Sequence, residues 1–203
     1  MKSLYVTDRA AIGDEALAGV LDRLAGAPAL SVTLREAPAA DGALLARACE
    51  ALHRLAGAVP LYVHRRFDVA LAAGAAGVHL PSNGLPLSGV RANTPRGFRI
   101  GVSTHSAPEA EEAISQGADL VVIGPVFDTP SKRAFGPPLG PGALAALPRR
   151  DTHSCDVYAI GGVDESRLSE LEPYRDRISG IAAIRLFQAS ADPRAAAERI
   201  AAR

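Results

Sequence analysis

Eight short β-type segments recur along this chain, and segments with helical spacing lie between them. The β-type runs are rich in Val, Ile and Leu, and each spans only four or five residues. They cover residues 4–7, 30–34, 60–63, 77–80, 99–103, 120–123, 157–160 and 181–184. Strands that alternate with helices in this way pair in parallel, with a helix crossing between neighbours. The pattern predicts an α/β fold, a (β/α)8 TIM barrel.

The length and the charge balance limit the possible partners. At 203 residues the chain is slightly short for such a barrel, so the loops must be brief and we expect a single domain over residues 1–203. The 22 acidic and 22 basic residues balance without a basic tract, which argues against nucleic acid and anionic membranes as partners. We expect a cytoplasmic protein, because no apolar run resembles a signal peptide or a membrane span. Cys49 and Cys155 have no metal-like spacing, and we expect both to be reduced core residues.

The intervening segments carry helix signals of unequal strength. The predicted helices are 14–25, 42–55, 107–116 and 193–202. Ser106 precedes the third of these as an N-cap, with Pro108 and Glu109 in the first turn. The segment after the fourth strand is broken by Pro and Gly, and residues 128–142 are predicted to form a mobile loop over the sixth strand.

The loop after the sixth strand has the composition of an anion site. The buried run Val121-Val122-Ile123 leads into Thr129, Ser131 and Lys132, which supply two hydroxyl groups and an ammonium group. Lys132 is one of only two lysines in a chain that otherwise uses arginine, so a compact cation is expected to be functional there.

A Gly-Gly pair follows the seventh strand and adds a second anion signal. In eight-stranded α/β barrels, the loops after strands 7 and 8 commonly hold phosphate through backbone N–H groups. Gly161 and Gly162 stand at this place and would let a ligand approach the backbone closely. The chain is therefore predicted to bind a phosphorylated ligand.

With these motifs placed on strand ends, the chain resembles the thiamin phosphate synthase and TenI-type thiazole tautomerase superfamily nearly end to end. The resemblance implies a TIM barrel whose carboxyl-terminal rim binds a small phosphorylated thiazole in thiamin biosynthesis, and it raises the possibility of a homodimer. It rests on the blocks 4–9 (LYVTDR), 34–36 (LRE), 68–70 (DVA), 77–80 (GVHL), 101–106 (GVSTHS), 124–132 (GPVFDTPSK) and 159–163 (AIGGV).

The chain departs from the synthase pattern at the metal positions. The family's synthases hold Mg²⁺ with one Asp after the third strand and another after the fourth, as hard cations prefer. Here Arg65 occupies the first position, and Asn83-Gly84 the second. Of the Gln, Arg and Lys that surround the synthase diphosphate, only Arg35 is present. These changes argue against efficient synthase chemistry and against a bound metal.

The tripeptide Leu80-Pro81-Ser82 instead resembles the tautomerase branch. That reaction moves a proton to aromatise a thiazole phosphate carboxylate, so it needs an acid/base and cationic anchors but no cofactor. Arg65 would then grip the substrate carboxylate. Pro125 stands where this branch has its proposed catalytic His, so the base must be another residue. We expect His64 first, because a neutral imidazole exchanges protons near pH 7, and then His105. His79 and His105 both belong to blocks in which a His is common whatever the chemistry, so structural hydrogen bonds are the expectation for both, with His105 kept as the second candidate for the base. His53 and His153 are expected to lie at the surface.

The main expectation from the sequence is therefore a metal-independent isomerase, a TenI-like thiazole tautomerase. Substrate contacts are assigned to Arg35, Arg65, Ser103, Thr129, Ser131 and Lys132, and phosphate contacts to Gly161, Gly162, Ile184 and Arg185. Arg185 is expected either to grip phosphate or to pair with an acid such as Asp164. One alternative is a divergent thiamin phosphate synthase (thiamin-phosphate pyrophosphorylase), a transferase that would require Mg²⁺ and is favoured by Pro125 and the 129–132 loop. A second alternative is a non-catalytic thiazole phosphate-binding or regulatory barrel.

Overall fold

The structure is a computed structural model that describes residues 1–36, 40–129, 133 and 136–203. Its strands form a closed barrel of eight parallel strands in sequence order, which confirms the predicted (β/α)8 fold. The strands are β1 Lys2–Val6, β2 Leu30–Leu34, β3 Leu61–His64, β4 Gly77–Leu80, β5 Arg99–Thr104, β6 Leu120–Ile123, β7 Asp156–Ile160 and β8 Gly180–Ala183.

Helices pack around the outside of the barrel. Those predicted at 14–25, 42–55, 107–116 and 193–202 are observed within one residue at each end, as α2 Asp14–Leu24, α3 Asp41–Arg54, α6 Ala107–Ser115 and α9 Pro193–Ala201. Ser106 caps α6 as expected, because its Oγ accepts the Glu109 N–H at 3.3 Å. The described chain between β6 and β7 forms 3-10 turns at Pro141–Ala146 and Arg150–Thr152. The α-helices are α1 Arg9–Ile12, α2 Asp14–Leu24, α3 Asp41–Arg54, α4 Phe67–Ala73, α5 Leu87–Ala92, α6 Ala107–Ser115, α7 Leu168–Leu171, α8 Arg185–Gln188 and α9 Pro193–Ala201.

The first strand begins earlier than the sequence pattern predicts. Lys2 has a polar side chain, yet its backbone N–H donates to the Ser179 carbonyl at 2.9 Å and extends β1 toward the N-terminus. Its ammonium group pairs with Asp156 of β7 at 2.7 Å. Both partners are distant in sequence, so a local apolar pattern could not show that Lys2 belongs to the strand.

Two apolar layers hold the barrel together. The inner layer fills the barrel itself, and the larger outer layer lies between the strands and the helices. Cys155 is buried in the outer layer, but Cys49 is exposed, so the expectation that both cysteines are core residues was wrong for Cys49. Within the described ranges, no helix combines the length and the apolar character needed to cross a membrane. The inner layer contains Leu4, Val6, Tyr62, Leu120, Val122, Tyr158 and Ala182.

Backbone packing between β4 and β5 gives a test of the barrel. A Cβ atom at Gly77 would lie 2.0 Å from the Arg99 carbonyl oxygen of β5. We expect Gly77→Ala to lower the free energy of unfolding by roughly 1–3 kcal/mol or more, because the strand must shift to relieve this contact. Gly89→Ala is the matched control, since Gly89 lies inside α5 with open space around it. It should stabilise the protein by roughly 0.5–1 kcal/mol. Urea unfolding measures both, and equal effects would contradict the packing described.

Candidate active site

The carboxyl ends of the parallel strands meet at one end of the barrel, which places most of the predicted site residues together. Because all eight strands run in parallel, the residue that follows each strand lies on the same rim. Ser131 and Lys132 lie outside the described residues, so their assignments remain predictions from the sequence. The rim receives Arg35 from β2, His64 and Arg65 from β3, Ser103 and His105 from β5, Thr129 from β6, Gly161 and Gly162 from β7, and Ile184 and Arg185 from β8.

Arg35 is held at the end of β2 by contacts with the end of β1. Its backbone N–H donates to Thr7 Oγ1 at 2.9 Å, and its guanidinium donates to Asp8 at 3.1 Å. The adjacent Glu36 turns away from the rim, where its carboxylate is only 3% exposed and is held by Arg9 and Arg47. Arg35 therefore faces the mouth with a fixed backbone and a charge that is partly shared with Asp8.

Arg65 has an unusual backbone conformation at the end of β3. Its φ is +70°, in the left-handed region that non-glycine residues seldom adopt. Its N–H donates to the His79 carbonyl of β4 at 2.9 Å, which fixes the bend. The side chain is exposed and forms no ion pair with any acid in residues 1–36, 40–129, 133 or 136–203. The next residue, Arg66, differs because it pairs with Asp41 and Asp68.

Two imidazoles lie below the rim between β3 and β4. The rings of His64 and His79 meet edge to face, with their centroids 5.8 Å apart. Burial, followed by the charges of Arg65 and Arg35, lowers the pKa of His64 to about 4. Burial also lowers the pKa of His79 to about 3. These shifts favour the neutral form of both rings at pH 7. The assignment of His64 as the base stays a prediction.

A buried chain of hydrogen bonds joins three strands beneath the mouth. His79 Nδ1 lies 3.1 Å from Thr33 Oγ1, and His79 Nε2 lies 3.0 Å from Ser103 Oγ. This arrangement confirms the hydrogen-bonding role expected for His79 and fixes the hydroxyl of Ser103 at the end of β5. The sequence analysis missed Thr33, because a threonine inside a buried strand gives no local signal of a polar contact.

His105 links the end of β5 to the end of β6. Its Nδ1 donates to the Gly124 carbonyl at 2.8 Å, and its backbone N–H donates to Glu109 at 2.9 Å. The ring thus ties together two loops of the rim beside the cis Gly124-Pro125 bond. A catalytic role for His105 stays a prediction.

Free backbone donors lie on the opposite side of the mouth. Gly161 and Gly162 have φ values of +96° and +65°, and a Cβ at Gly162 would lie 2.6 Å from the Asp128 carbonyl oxygen. The backbone N–H groups of Gly162, Val163 and Arg185 have no acceptor within the described residues. Arg185 does not pair with Asp164, which instead accepts the N–H groups of Ser166 and Arg167. Donors of this kind suit a phosphate group.

The rim does not offer the ligands that Mg²⁺ requires. The structure confirms that Arg65 follows β3 and that Asn83 and Gly84 lie in the exposed loop after β4. In the part of the chain that the structure describes, no group of three or more His, Cys, Asp or Glu side chains is placed to hold a metal ion. The carboxylates near the rim already have partners: Asp8 pairs with Arg35, Asp68 with Arg66, and Asp128 with Arg133, while Glu36 faces away from the rim between Arg9 and Arg47. The residues present therefore do not fit a magnesium site.

Comparisons with known proteins agree on one family. Residues 4–187 match the family model TMP-TENI, described as thiamine monophosphate synthase. A putative thiamine-phosphate synthase of Geobacter sulfurreducens is 39% identical, over 98% of this chain and 93% of the relative. A thiamine-phosphate synthase of Methanoculleus marisnigri is 36% identical, over 98% of this chain and 95% of the relative. The solved thiamine phosphate pyrophosphorylase of Pyrococcus furiosus has a TM-score of 0.79 at 27% identity, over 99% of this chain and 94% of that one.

The buried imidazoles predict how stability depends on pH. Because their pKa values in the folded chain lie below the usual 6.5, the unfolded chain binds protons that the folded chain does not, from about pH 6.5 down to about 4 for His64 and about 3 for His79. The free energy of unfolding should therefore fall as the pH drops through this window, by on the order of 3 kcal/mol for His64 alone. Urea unfolding at a series of pH values measures this. His64→Asn should flatten the dependence, whereas His53→Asn, on the exposed face of α3, should leave it unchanged. A dependence unaltered in His64→Asn would contradict the assignment.

Proposed function

Since the chain belongs to the thiamine monophosphate synthase family, we propose that it is a thiamin phosphate synthase. It would join hydroxymethylpyrimidine diphosphate to thiazole phosphate and release pyrophosphate. The transferase was the alternative in the sequence analysis, and the comparisons favour it over the tautomerase, because the similar relatives are named thiamine-phosphate synthase. The geometry that carries the proposal is a mouth with anion-binding groups on two opposite sides.

The two anion sites suit two phosphorylated substrates. In a closed ring of eight strands, β3 lies four strands away from β7. Arg35 and Arg65 stand on the β2 and β3 side, while the free N–H groups of Gly162, Val163 and Arg185 stand on the β7 and β8 side. We assign the diphosphate to the guanidinium groups and the thiazole phosphate to the backbone donors. The reacting carbon and nitrogen would then meet above the centre of the barrel.

The neutral imidazoles fit a cationic intermediate. In the dissociative reaction of this family, pyrophosphate leaves and a pyrimidine cation forms. A protonated His64 would repel that cation; burial, followed by the charges of Arg65 and Arg35, lowers the pKa of this ring to about 4 and so favours its neutral form. Ser103, oriented by His79, presents a hydroxyl dipole at the same level of the mouth. These groups would stabilise the separated charges without transferring a proton.

A thiazole tautomerase is the second candidate, and Arg65 is the observation that favours it. An exposed guanidinium at the end of β3 could grip the carboxylate of a thiazole phosphate carboxylate. The reaction also needs a base, and His64 with a pKa of about 4 is a weak base in the ligand-free chain. Pro125 has no titratable group to replace it. These two points rank the tautomerase below the synthase.

A turnover assay separates these functions. We expect the purified protein to form thiamin phosphate and pyrophosphate from hydroxymethylpyrimidine diphosphate and thiazole phosphate, measured by thiochrome fluorescence and by pyrophosphate release. The same preparation should not accelerate aromatisation of the thiazole phosphate carboxylate above the buffer rate. Accelerated aromatisation without thiamin phosphate formation would establish the second candidate. Tight binding of thiazole phosphate with neither activity would indicate a non-catalytic barrel.

Lys132 is proposed from the sequence to contact a substrate phosphate. Removing this ammonium should raise KM for the phosphorylated substrate on the order of 10-fold, since a charged hydrogen bond contributes about 1.5–3 kcal/mol. We therefore expect Lys132→Ala to raise KM while leaving the thermal unfolding temperature nearly unchanged. Lys2→Ala is the matched control, because Lys2 pairs with Asp156 in β7, near the amino-terminal end of the barrel. Equal KM values in the two variants would remove Lys132 from the site.

A further inference from the structure

We propose that Arg35 and Arg65 form a diphosphate site that works without a divalent cation. This inference rests on the proposed synthase function, because it concerns the diphosphate of its pyrimidine substrate. It also goes beyond that function, since synthases of this family are expected to hold this group through Mg²⁺.

A cation, the guanidinium of Arg65, replaces a metal ligand at the end of β3. Arg65 stands at a position where the resemblance implies a metal-binding Asp, and no acid follows β4 through Gly84. A guanidinium repels a divalent cation, and the nearby carboxylates are already bound to arginines. The same guanidinium attracts diphosphate, which it can contact through two parallel N–H donors.

The guanidinium group of Arg65 is available to a ligand. Arg66 is adjacent in sequence, but its charge is shared by Asp41 and Asp68. The left-handed backbone at Arg65, fixed by the bond to the His79 carbonyl, separates the two side chains. In the described residues Arg65 has no acidic partner, so its charge remains available to a ligand.

The guanidinium groups of Arg35 and Arg65 stand at the ends of neighbouring strands, on the same side of the mouth. β2 and β3 pair with Leu34 opposite Val63, so Arg35 follows beside His64 and Arg65 follows one position further. In keeping with this register, the positive charges of both arginines contribute to the lowered pKa of His64. An anion above His64 would therefore meet two cations at once.

The charge balance suits a ligand that must leave after the reaction. Arg35 donates one hydrogen bond to Asp8, at 3.1 Å, and keeps other N–H groups for a ligand. Arg65 adds a full charge, and His64 stays neutral in the ligand-free chain. The site would thus compensate part of the diphosphate charge, enough to favour its departure from carbon without retaining it tightly.

Calorimetric titration with inorganic pyrophosphate tests the proposal without requiring turnover. We expect chelator-treated protein to bind pyrophosphate, with a Kd that changes less than threefold when Mg²⁺ is added. Binding that appears only with Mg²⁺ would overturn the proposal. A synthase that turns over only with Mg²⁺, and binds pyrophosphate only with Mg²⁺, would leave the proposed function standing and remove this inference alone. Metal-free binding of pyrophosphate without thiamin phosphate formation would leave this inference standing and remove the proposed function.

Variants assign the binding to the two arginines. Arg65→Gln should weaken metal-free pyrophosphate binding about 10-fold or more, because one charged bidentate contact is lost. Arg66→Gln is the matched control and should bind pyrophosphate like the wild type, since the charge of Arg66 is already paired. Arg65→Asp should abolish metal-free binding and make any remaining binding depend on Mg²⁺. Circular dichroism confirms that each variant is folded. Wild-type affinity in Arg65→Gln would overturn the proposal, because the pyrophosphate would then lie elsewhere, for example at the glycine loop after β7.

Discussion

Closure of the sheet between β1 and β8 determines where every residue of the mouth lies. The two strands pair from Lys2 opposite Gly180 to Tyr5 opposite Ala183. They approach so closely that a Cβ at Gly180 would lie 1.8 Å from the Lys2 carbonyl oxygen. Above this seam, Gln188 of α8 accepts the backbone N–H of Asp8 at 2.7 Å. Asp8 in turn holds Arg35, so ring closure is transmitted to the side chain on the next strand that we propose to bind an anion.

Parallel strands in a closed ring also explain why the charges of the rim are so strongly paired. Each strand ends at the same level, which brings acids and arginines from separate loops within reach of one another. Asp8 pairs in this way with Arg35, and Glu36, turned away from the rim, has a buried carboxylate between Arg9 and Arg47. Isolated ion pairs at an exposed surface add little stability. Their effect here is to neutralise several charges of the rim, so that Arg65, which has no acidic partner in the described residues, contributes its full charge to the field on the β3 side.

The sequence predicted the scaffold well and the contacts within it poorly. β2, β4 and β6 have the predicted bounds, because buried strands read as short apolar runs between turn signals. The chain Thr33–His79–Ser103 spans 46 and 24 residues, and local spacing cannot show that these side chains meet. The lowered pKa of His64 is also not visible in local sequence, because it depends on burial first and then on the charges of arginines from two strands. Cys49 follows the buried Ala48 on α3, where a rotation of one residue turns a side chain from the core to solvent.

Replacing a metal by guanidinium groups changes how a product leaves. A metal ion can depart together with pyrophosphate, so the attraction between the metal and the pyrophosphate need not be broken when the product leaves. A guanidinium is fixed to the chain, and a site made of several unpaired arginines would hold pyrophosphate too long for turnover. The rim limits this effect, because Arg35 is shared with Asp8, Arg66 is occupied by Asp41 and Asp68, and His64 carries no charge at neutral pH. The Arg65 guanidinium, which has no acidic partner in the described residues, beside the shared one of Arg35 is therefore a charge arrangement that can assist departure of the leaving group and still release it.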